Sequence, residues 1–272
     1  MEPKLPTVDM YGKTLQSHWI AGLRIAETTY VPGLKVPQHS HEHGYFSLVL
    51  DGTFDGVYGR KAQKGQPFYA VFRPPDEPHS VHFHRTGARL FSIEVETSNL
   101  ERVREHSLRL DQSTELVGGE LAWLALRIYR EVRDMDKASP LAIEGLFLEM
   151  LAAASRRSMK VEAGRGPGWL RRVKEILNAS FSDRLTIAGI AEMIDVHPVY
   201  LATTFRKHYH CTIGEYTRQL RVEHACHLLS RSDTPLVEVA LAVGFSDQSH
   251  FSKTFKQLTG FSPGRFRADF LD

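Results

Sequence analysis

The chain has little cysteine, no long apolar stretch and almost no net charge, and each shortage removes a class of protein. Cys211 and Cys226 are its two cysteines and have no ligand-like spacing, which argues against a disulfide-stapled scaffold or a cysteine zinc module. They read as reduced packing residues. No apolar run reaches the roughly eighteen residues a membrane helix needs. The acidic, proline-bearing stretch MEPKLPTVDM is no signal peptide, so a cytoplasmic protein without a membrane partner is expected. A formal charge of +2 is too small to indicate nucleic acid by itself. The basic excess is nevertheless uneven: residues 165–272 hold 14 Lys/Arg against 11 Asp/Glu, and the rest hold 20 against 21. At 272 residues the chain is long enough for two domains with separate cores.

What is present is a motif that occurs twice. VEVALAVGFSDQSHFSKTF, Val237 to Phe255, reads as two short helices about a tight Gly-Phe corner. Val237, Ala240, Leu241 and Val243 fall at helical spacing as the buried side of the first, and Gly244 supplies the backbone freedom of the corner. Ser246 is the expected cap of the second helix, whose buried side is Phe251, Thr254 and Phe255. Gln248, Ser249, Ser252 and Lys253 then face outward, and such side chains suit base edges and phosphates.

Upstream, TIAGIAEMIDVHPVYLATTFRK, Thr186 to Lys207, registers against this unit when Ile190-Ala191 is laid on Val239-Ala240 and Phe205 on Phe255. The later unit carries one extra residue at its corner. Asp195-Val196 replaces Gly244-Phe245, and Asp tolerates a positive φ at some cost. His197 occupies the cap position and Pro198 the first helical position, where a missing N–H costs nothing. The outward set is Val199, Ala202, Thr203 and Arg206, which can touch a thymine methyl or a phosphate but make a poorer hydrogen-bonding code than the later set. Between the units, Ile213 to Leu229 reads as one long helix, with Tyr216, Leu220, Ala225, Leu228 and Leu229 at helical spacing. A single helical hairpin is a frequent chance pattern. Two in register about a spacer helix predict a reader of double-stranded DNA. Arg171, Arg172, Lys174, Arg206, Lys207, Arg265 and Arg267 are candidate phosphate contacts, and each is as compatible with a solvated helix face.

On these residues, the stretch from about Trp169 to Phe270 resembles the DNA-binding domain of AraC/XylS-type transcription regulators. The match is carried by Ala191, the first corner and Phe205, by TIGEYTRQLRVEHACHLL, and by GFSDQSHFSKTFKQLTGFSPGRFR, Gly244 to Arg267. The resemblance implies two recognition helices per monomer in successive major grooves. RNA polymerase is a further partner open to such a regulator, although no contact patch for it can be read.

The first hundred residues have another texture. YFSLVL, DGVYG, PFYAVF and LFSIEV, broken by Gly, Pro and Asp, predict antiparallel strands in a small barrel or jelly roll. His39, His41 and His43 alternate along one extended segment and so project to a common side, and His79 follows a Pro-Pro-Asp-Glu-Pro turn. The pattern resembles a cupin, with Gly33, His39, His41 and Gly52 matching a first motif and Pro74 and His79 a second. Tyr45 stands where metal-dependent cupin enzymes usually carry glutamate, and Asp76 replaces the usual turn glycine. Beside an AraC-type reader, the resemblance implies an effector pocket. His39, His41, Tyr45, Tyr69 and His79 are its candidate polar contacts, with Phe46, Phe68 and Phe72 as apolar walls. His39, His41 and His79 could also hold a divalent metal such as zinc, nickel or iron, or serve as hydrogen-bonded lining or surface residues; no other cofactor is expected. His82 and His84 read as an exposed face.

Two helices are expected between the halves. In the first, Glu115 to Arg133, Leu121, Leu124, Ala125, Ile128 and Val132 form a stripe, and the second runs from Pro140 to Arg156. They serve internal packing or, as the resemblance implies, a homodimer. The glycine-rich stretch from Arg156 to Trp169 reads as a linker. The expected fold is α+β multidomain, with an N-terminal cupin-like β-barrel or jelly roll over 1–105 and a helical bridging and dimerisation segment over 106–157. A linker over 158–168 then leads to a C-terminal all-α domain with two helix-turn-helix motifs over 169–272. The expected function is sequence-specific transcription regulation, without catalysis, controlled by a small-molecule effector in the barrel. The alternatives are a metal-dependent cupin enzyme fused to a DNA-binding domain, and a barrel that serves only to dimerise.

Overall fold

The computed structural model describes residues 4–5, 10–59, 61–96, 99, 101, 114–117, 120–162, 167–209 and 211–270. They fall into two compact units, 1–162 and 163–272.

The first unit is built on strands β1 (Lys4–Leu5), β2 (Lys13–Ile20), β3 (Leu23–Tyr30), β4 (Lys35–His41), β5 (Gly44–Tyr58), β6 (Lys61–Gly65), β7 (Tyr69–Arg73), β8 (His79–Val95) and β9 (Thr114–Val117). All described pairings except β1 with β4 are antiparallel. β8 pairs with β3, β4 and β5, and β5 also pairs with β6 and β7. The β5–β8 ladder shifts register between Val49 and Asp51 and again between Gly52 and Phe54, and such bulges bend a long strand pair. Gly52 has φ 80° there, and a Cβ on it would lie 2.1 Å from the Gly87 carbonyl oxygen, so the bend requires glycine.

One face of the curled sheet lines a cavity, and part of the other packs on helices α1 (Glu120–Arg133) and α2 (Ser139–Glu162). Phe46 meets Phe72 at 4.8 Å and Phe147 of α2 at 6.3 Å, and Phe91 meets Tyr129 of α1 at 5.2 Å. The buried carboxylate of Glu27 accepts from Gln16 at 2.8 Å and from the Tyr129 hydroxyl at 3.4 Å, with Arg89 at 3.6 Å. A buried charge needs such partners to offset its desolvation.

Two boundaries differ from the sequence reading. Glu115–Val117, expected as the start of a helix, belongs to β9 and pairs with Tyr69–Val71 of β7; the helix begins at Glu120. The paired edge of β7 satisfies that backbone, and Gly118-Gly119 is a poor helix start. The helix expected to end at Arg156 continues to Glu162, into the stretch read as linker. Residues 163–166 of that stretch, and most of 97–113, lie outside the described residues.

The second unit consists of α3 (Gly168–Ala179), α4 (Ile187–Met193), α5 (Pro198–Tyr209), α6 (Ile213–Leu229), α7 (Leu236–Ala242), α8 (Gln248–Thr259) and α9 (Pro263–Phe270). α6 starts on a capping box, with the Thr212 side chain accepting from Glu215 N–H and the Glu215 carboxylate accepting from Thr212 N–H. Ile213 and Leu220 of its first half join the core made by Leu170, Val173, Leu177, Ile190, Ala191, Leu201 and Phe205. Val222, Ala225, Cys226 and Leu229 of its second half are also buried, and this part of the unit contains a chain of phenylalanines, Phe251, Phe255, Phe266 and Phe270. Cys226 is a free thiol whose pKa burial pushes well up, as expected of a packing residue. Among the described residues no helix is long and apolar enough to cross a membrane.

Candidate functional site

The two helix-turn-helix corners close by the same hydrogen bond. Val196 N–H donates to the Ala191 carbonyl at 3.0 Å, and Phe245 N–H donates to the Ala240 carbonyl at 2.9 Å. Gly244 has φ 88° and Asp195 has φ 54°, so the first corner does adopt the left-handed conformation with an aspartate. The cap of α8 is Asp247 rather than Ser246: its carboxylate accepts from His250 N–H at 2.7 Å, and this bond holds its pKa below the ordinary range. A carboxylate at a helix N-terminus also meets the positive end of the helix dipole. At α5, the Val199 N–H donates to His197 Nδ1 at 3.3 Å.

Once Phe251, Thr254 and Phe255 are buried, helical geometry leaves Gln248, Ser249 and Lys253 exposed and Ser252 half-buried. On α5 the burial of Leu201 and Phe205 leaves Val199, Thr203 and Arg206 exposed and Ala202 half-buried. The Thr203 hydroxyl donates to the Val199 carbonyl at 2.8 Å, so its donor is used within the helix and its methyl group remains. Exposed Tyr200, beside Val199 and 5.7 Å from Trp169, was not among the expected outward residues. The buried side of α7 is Val239 and Ala240, with Val243 at the C-cap; Val237 and Leu241 are 46% and 57% exposed, contrary to the sequence reading. Their apolar character gave no sign of which way the short helix would roll.

In the first unit the cavity has a volume of about 660 Å³, including the space at its mouth. His39, His41, Tyr45, Tyr69 and His79 all line it. His43 lies in the bend after β4 ends at His41 and is outside the cluster. Phe46, Phe68 and Phe72 are not the walls. Pleating sends Tyr45 and Ser47 of β5 and Tyr69 and Val71 of β7 into the cavity, and the adjacent Phe46 and Phe72 to the other side. The apolar walls are instead Val36, Phe54, Val71, Val81, Phe83 and Leu90. Phe54 and Tyr58 reach inward because the bulges around Gly52 reset the alternation of β5.

His39, His41 and His79 are buried, and their available ring nitrogens lie within 4.8 Å of one another. His39 Nδ1 is 2.8 Å from the Pro37 carbonyl and His79 Nδ1 is 3.0 Å from the Glu77 carbonyl. A carbonyl only accepts, so each Nδ1 carries the hydrogen and each Nε2 keeps its lone pair. The Tyr45 hydroxyl donates to His79 Nε2 at 3.4 Å. Burial pushes His79 down to about 4, against a smaller upward pull from the Glu77 carbonyl, and it also lowers His39. Both imidazoles are therefore neutral at pH 7. Asp76, in the turn before β8, has φ 62° and so takes the backbone conformation that a glycine would supply. Behind the polar end, buried Arg73 lies over the Tyr58 ring at 3.2 Å, with Glu77 at 3.7 Å and Gln63 accepting from it.

Comparison with known proteins matches both units. Residues 25–151 fit the AraC-like ligand binding domain, and residues 190–269 fit a helix-turn-helix domain. The chain thus joins an AraC-like ligand-binding domain to a helix-turn-helix domain, and the relatives it matches are transcription regulators. It is similar to the Msm operon regulatory protein of Streptococcus mutans, with 34% identity over 101 residues, 37% of this chain and 36% of that protein. It is similar to the arabinose operon regulatory protein of Escherichia coli, with 32% identity over 136 residues, 46% of each chain. A longer alignment, with the HTH-type transcriptional regulator YobQ of Bacillus subtilis, has 26% identity over 237 residues, 84% of this chain and 88% of that one. The first two alignments therefore span less than half of those relatives.

Proposed function

We propose that this AraC-type chain is a cytoplasmic, sequence-specific transcription regulator of double-stranded DNA. In this reading α5 and α8 enter successive major grooves. The observation that carries it is the pair of corners closed by equivalent hydrogen bonds, each followed by a helix that buries one side and presents polar side chains on the other. Gln248, Ser249, Ser252 and Lys253 carry most of the hydrogen-bonded readout, and Val199, Ala202, Thr203 and Arg206 supply methyl and phosphate contacts. A small-molecule effector occupies the cavity, with His39, His41, Tyr45, Tyr69 and His79 as its polar partners. It acts by favouring one of two arrangements of the regulator. RNA polymerase is the partner on which bound regulator acts.

A homodimer through α2 is part of the same reading. Leu141 and Leu148 stand seven residues apart on that helix, 76% and 43% exposed, and a Cβ on Gly145 between them would meet nothing. This unpartnered apolar stripe has the spacing of a helix–helix seam with a second copy. Selection of bound duplexes from a random DNA pool tests the whole reading. The recovered site should show blocks of preference about one helical turn, roughly 34–36 Å, apart. A duplicated pair of blocks reports the dimer. A pool that returns no preferred sequence would refute sequence-specific reading.

The three histidines also fit a divalent metal, because two carry their hydrogen on the far ring nitrogen and keep a lone pair on Nε2. His39, His41 and His79 would hold the ion, and a bound ion would supply a Lewis-acid centre for an effector oxygen. Added Co²⁺ is expected to give visible absorption in the wild type and none in His41→Ala. Metal-free protein that still binds DNA and an effector supports simple hydrogen-bonded lining, whereas stoichiometric metal with turnover would favour a cupin enzyme carrying a DNA-binding domain.

A further inference from the structure

The DNA reading requires two helices held at a fixed relation, yet the two halves of the second unit share one continuous helix, α6. A second connection lies in the short segment Phe181–Asp183, just before the first helix-turn-helix unit. Phe181 packs against the first core, and its ring lies flat on His224 of α6, 3.8 Å away and 5° from parallel. Arg221 of α6 grips the same segment from its backbone side: Nε donates to the Phe181 carbonyl at 2.7 Å and Nη2 to the Asp183 carbonyl at 3.0 Å. Its guanidinium also stands 5.8 Å from the Phe245 ring, at the corner of the second reader.

That corner rests directly on the segment. A Cβ on Gly244 would come within 2.4 Å of the Ser182 carbonyl oxygen and 2.8 Å of Ser182 Cα. Gly244 thus meets two demands at once, a positive φ and a backbone contact with no room for a side chain. The first corner meets only the first demand, since Asp195 is exposed at φ 54°, and this accounts for aspartate at one corner and glycine at the other.

We propose that Phe181–Asp183, Arg221 and Gly244 form a brace that fixes the spacing between the two recognition helices, with Arg221 as the positioning residue. The inference rests on the DNA reading above. Engagement of the second groove is an intramolecular event once the first is bound, and a rigid connection keeps its effective concentration high. A loosened brace lowers affinity for a two-groove site while each reader keeps its own contacts.

The test uses the full chain and two duplexes: the site recovered from the random pool, and the same site with one of its blocks scrambled. Arg221→Ala is expected to lower the ratio of full-site to single-block affinity about tenfold, with single-block affinity unchanged. Gly244→Ala, which also disturbs the second reader's own corner, should lower the ratio at least as much, with affinity unchanged on the duplex that keeps only the block read by α5. Arg221→Lys, which retains one donor group, should fall between these variants and the wild type. The wild type should also discriminate more sharply than Arg221→Ala against a one-base-pair insertion between the blocks. A ratio that stays at the wild-type value in both alanine variants, or an equal loss on both duplexes, overturns the brace. A wild type that binds neither duplex overturns the DNA reading itself and the brace with it.

Discussion

Alanine at both Gln248 and Lys253 is expected to weaken binding to the cognate duplex by roughly 30- to 1,000-fold at moderate salt. A bidentate contact between an amide side chain and a base edge is worth about 1–3 kcal/mol of discrimination, and each 1.4 kcal/mol or so is tenfold. Lys253, read as a phosphate contact, adds loss on every sequence and should reduce the salt slope by about 1. The fold should survive, because both side chains are exposed while the helix is held by buried Phe251, Thr254 and Phe255 and by the Asp247 cap. Gel-shift titration at several salt concentrations, with circular dichroism to confirm the fold, checks both parts. Unchanged affinity would remove these residues from the readout. A loss confined to one base position would assign Gln248 as the residue that reads it.

Glu223→Gln is expected to stabilise the second unit by up to about 3 kcal/mol at pH 7.5. Burial raises the Glu223 carboxyl to about 7, near the Tyr216 hydroxyl and the Cys226 thiol. A folded-state value above the ordinary one means that the fold prefers the protonated acid. The native state is therefore penalised at high pH and relieved as pH falls from about 7 towards the ordinary carboxyl value of 4.5. His227, one turn along α6, works in the opposite sense. Burial first, then Arg231 and His224, push its imidazole down to about 4, so the fold prefers the neutral ring and loses stability as pH falls below 6.5 towards 4. In the wild type the two effects oppose each other between about pH 6.5 and 4.5, and the melting temperature should change little there. In Glu223→Gln the His227 loss remains, joined by that of His224, whose imidazole burial also lowers, and stability should fall steadily with acidification from a higher starting point. Calorimetry across pH 5 to 8 on both proteins distinguishes the cases. A variant no more stable than wild type at pH 7.5 would show that the Glu223 carboxylate is solvated in the native state.

The same contrast between near and distant interactions separates what could be read in advance from what could not. The span Ile213–Leu229 and the reader pair follow from capping and helical periodicity, settled within a few residues, whereas for the first corner the sequence offered only that aspartate tolerates the positive φ that Asp195 adopts. Asp247 replaced Ser246 as the cap because two adjacent capping residues compete, and the carboxylate is the one that reaches His250 N–H. The histidine cluster was legible for a similar reason, since a two-residue spacing on a strand places His39 and His41 on one side. His79 joined them through its pairing with His39 across β4 and β8.

Local pattern by itself determined that this chain carries two helical readers joined by a stiff spacer, and that a strand-rich half precedes them with imidazoles on one face. Tertiary structure alone decided which aromatics wall the cavity, that Glu115–Val117 is a strand, that Val237 and Leu241 face solvent, and that Ser182 seats the corner at Gly244. Helix periodicity and caps depend on neighbours three or four positions away. Strand register, the bulge at Gly52 and the burial of Glu223 depend on groups that only folding brings together.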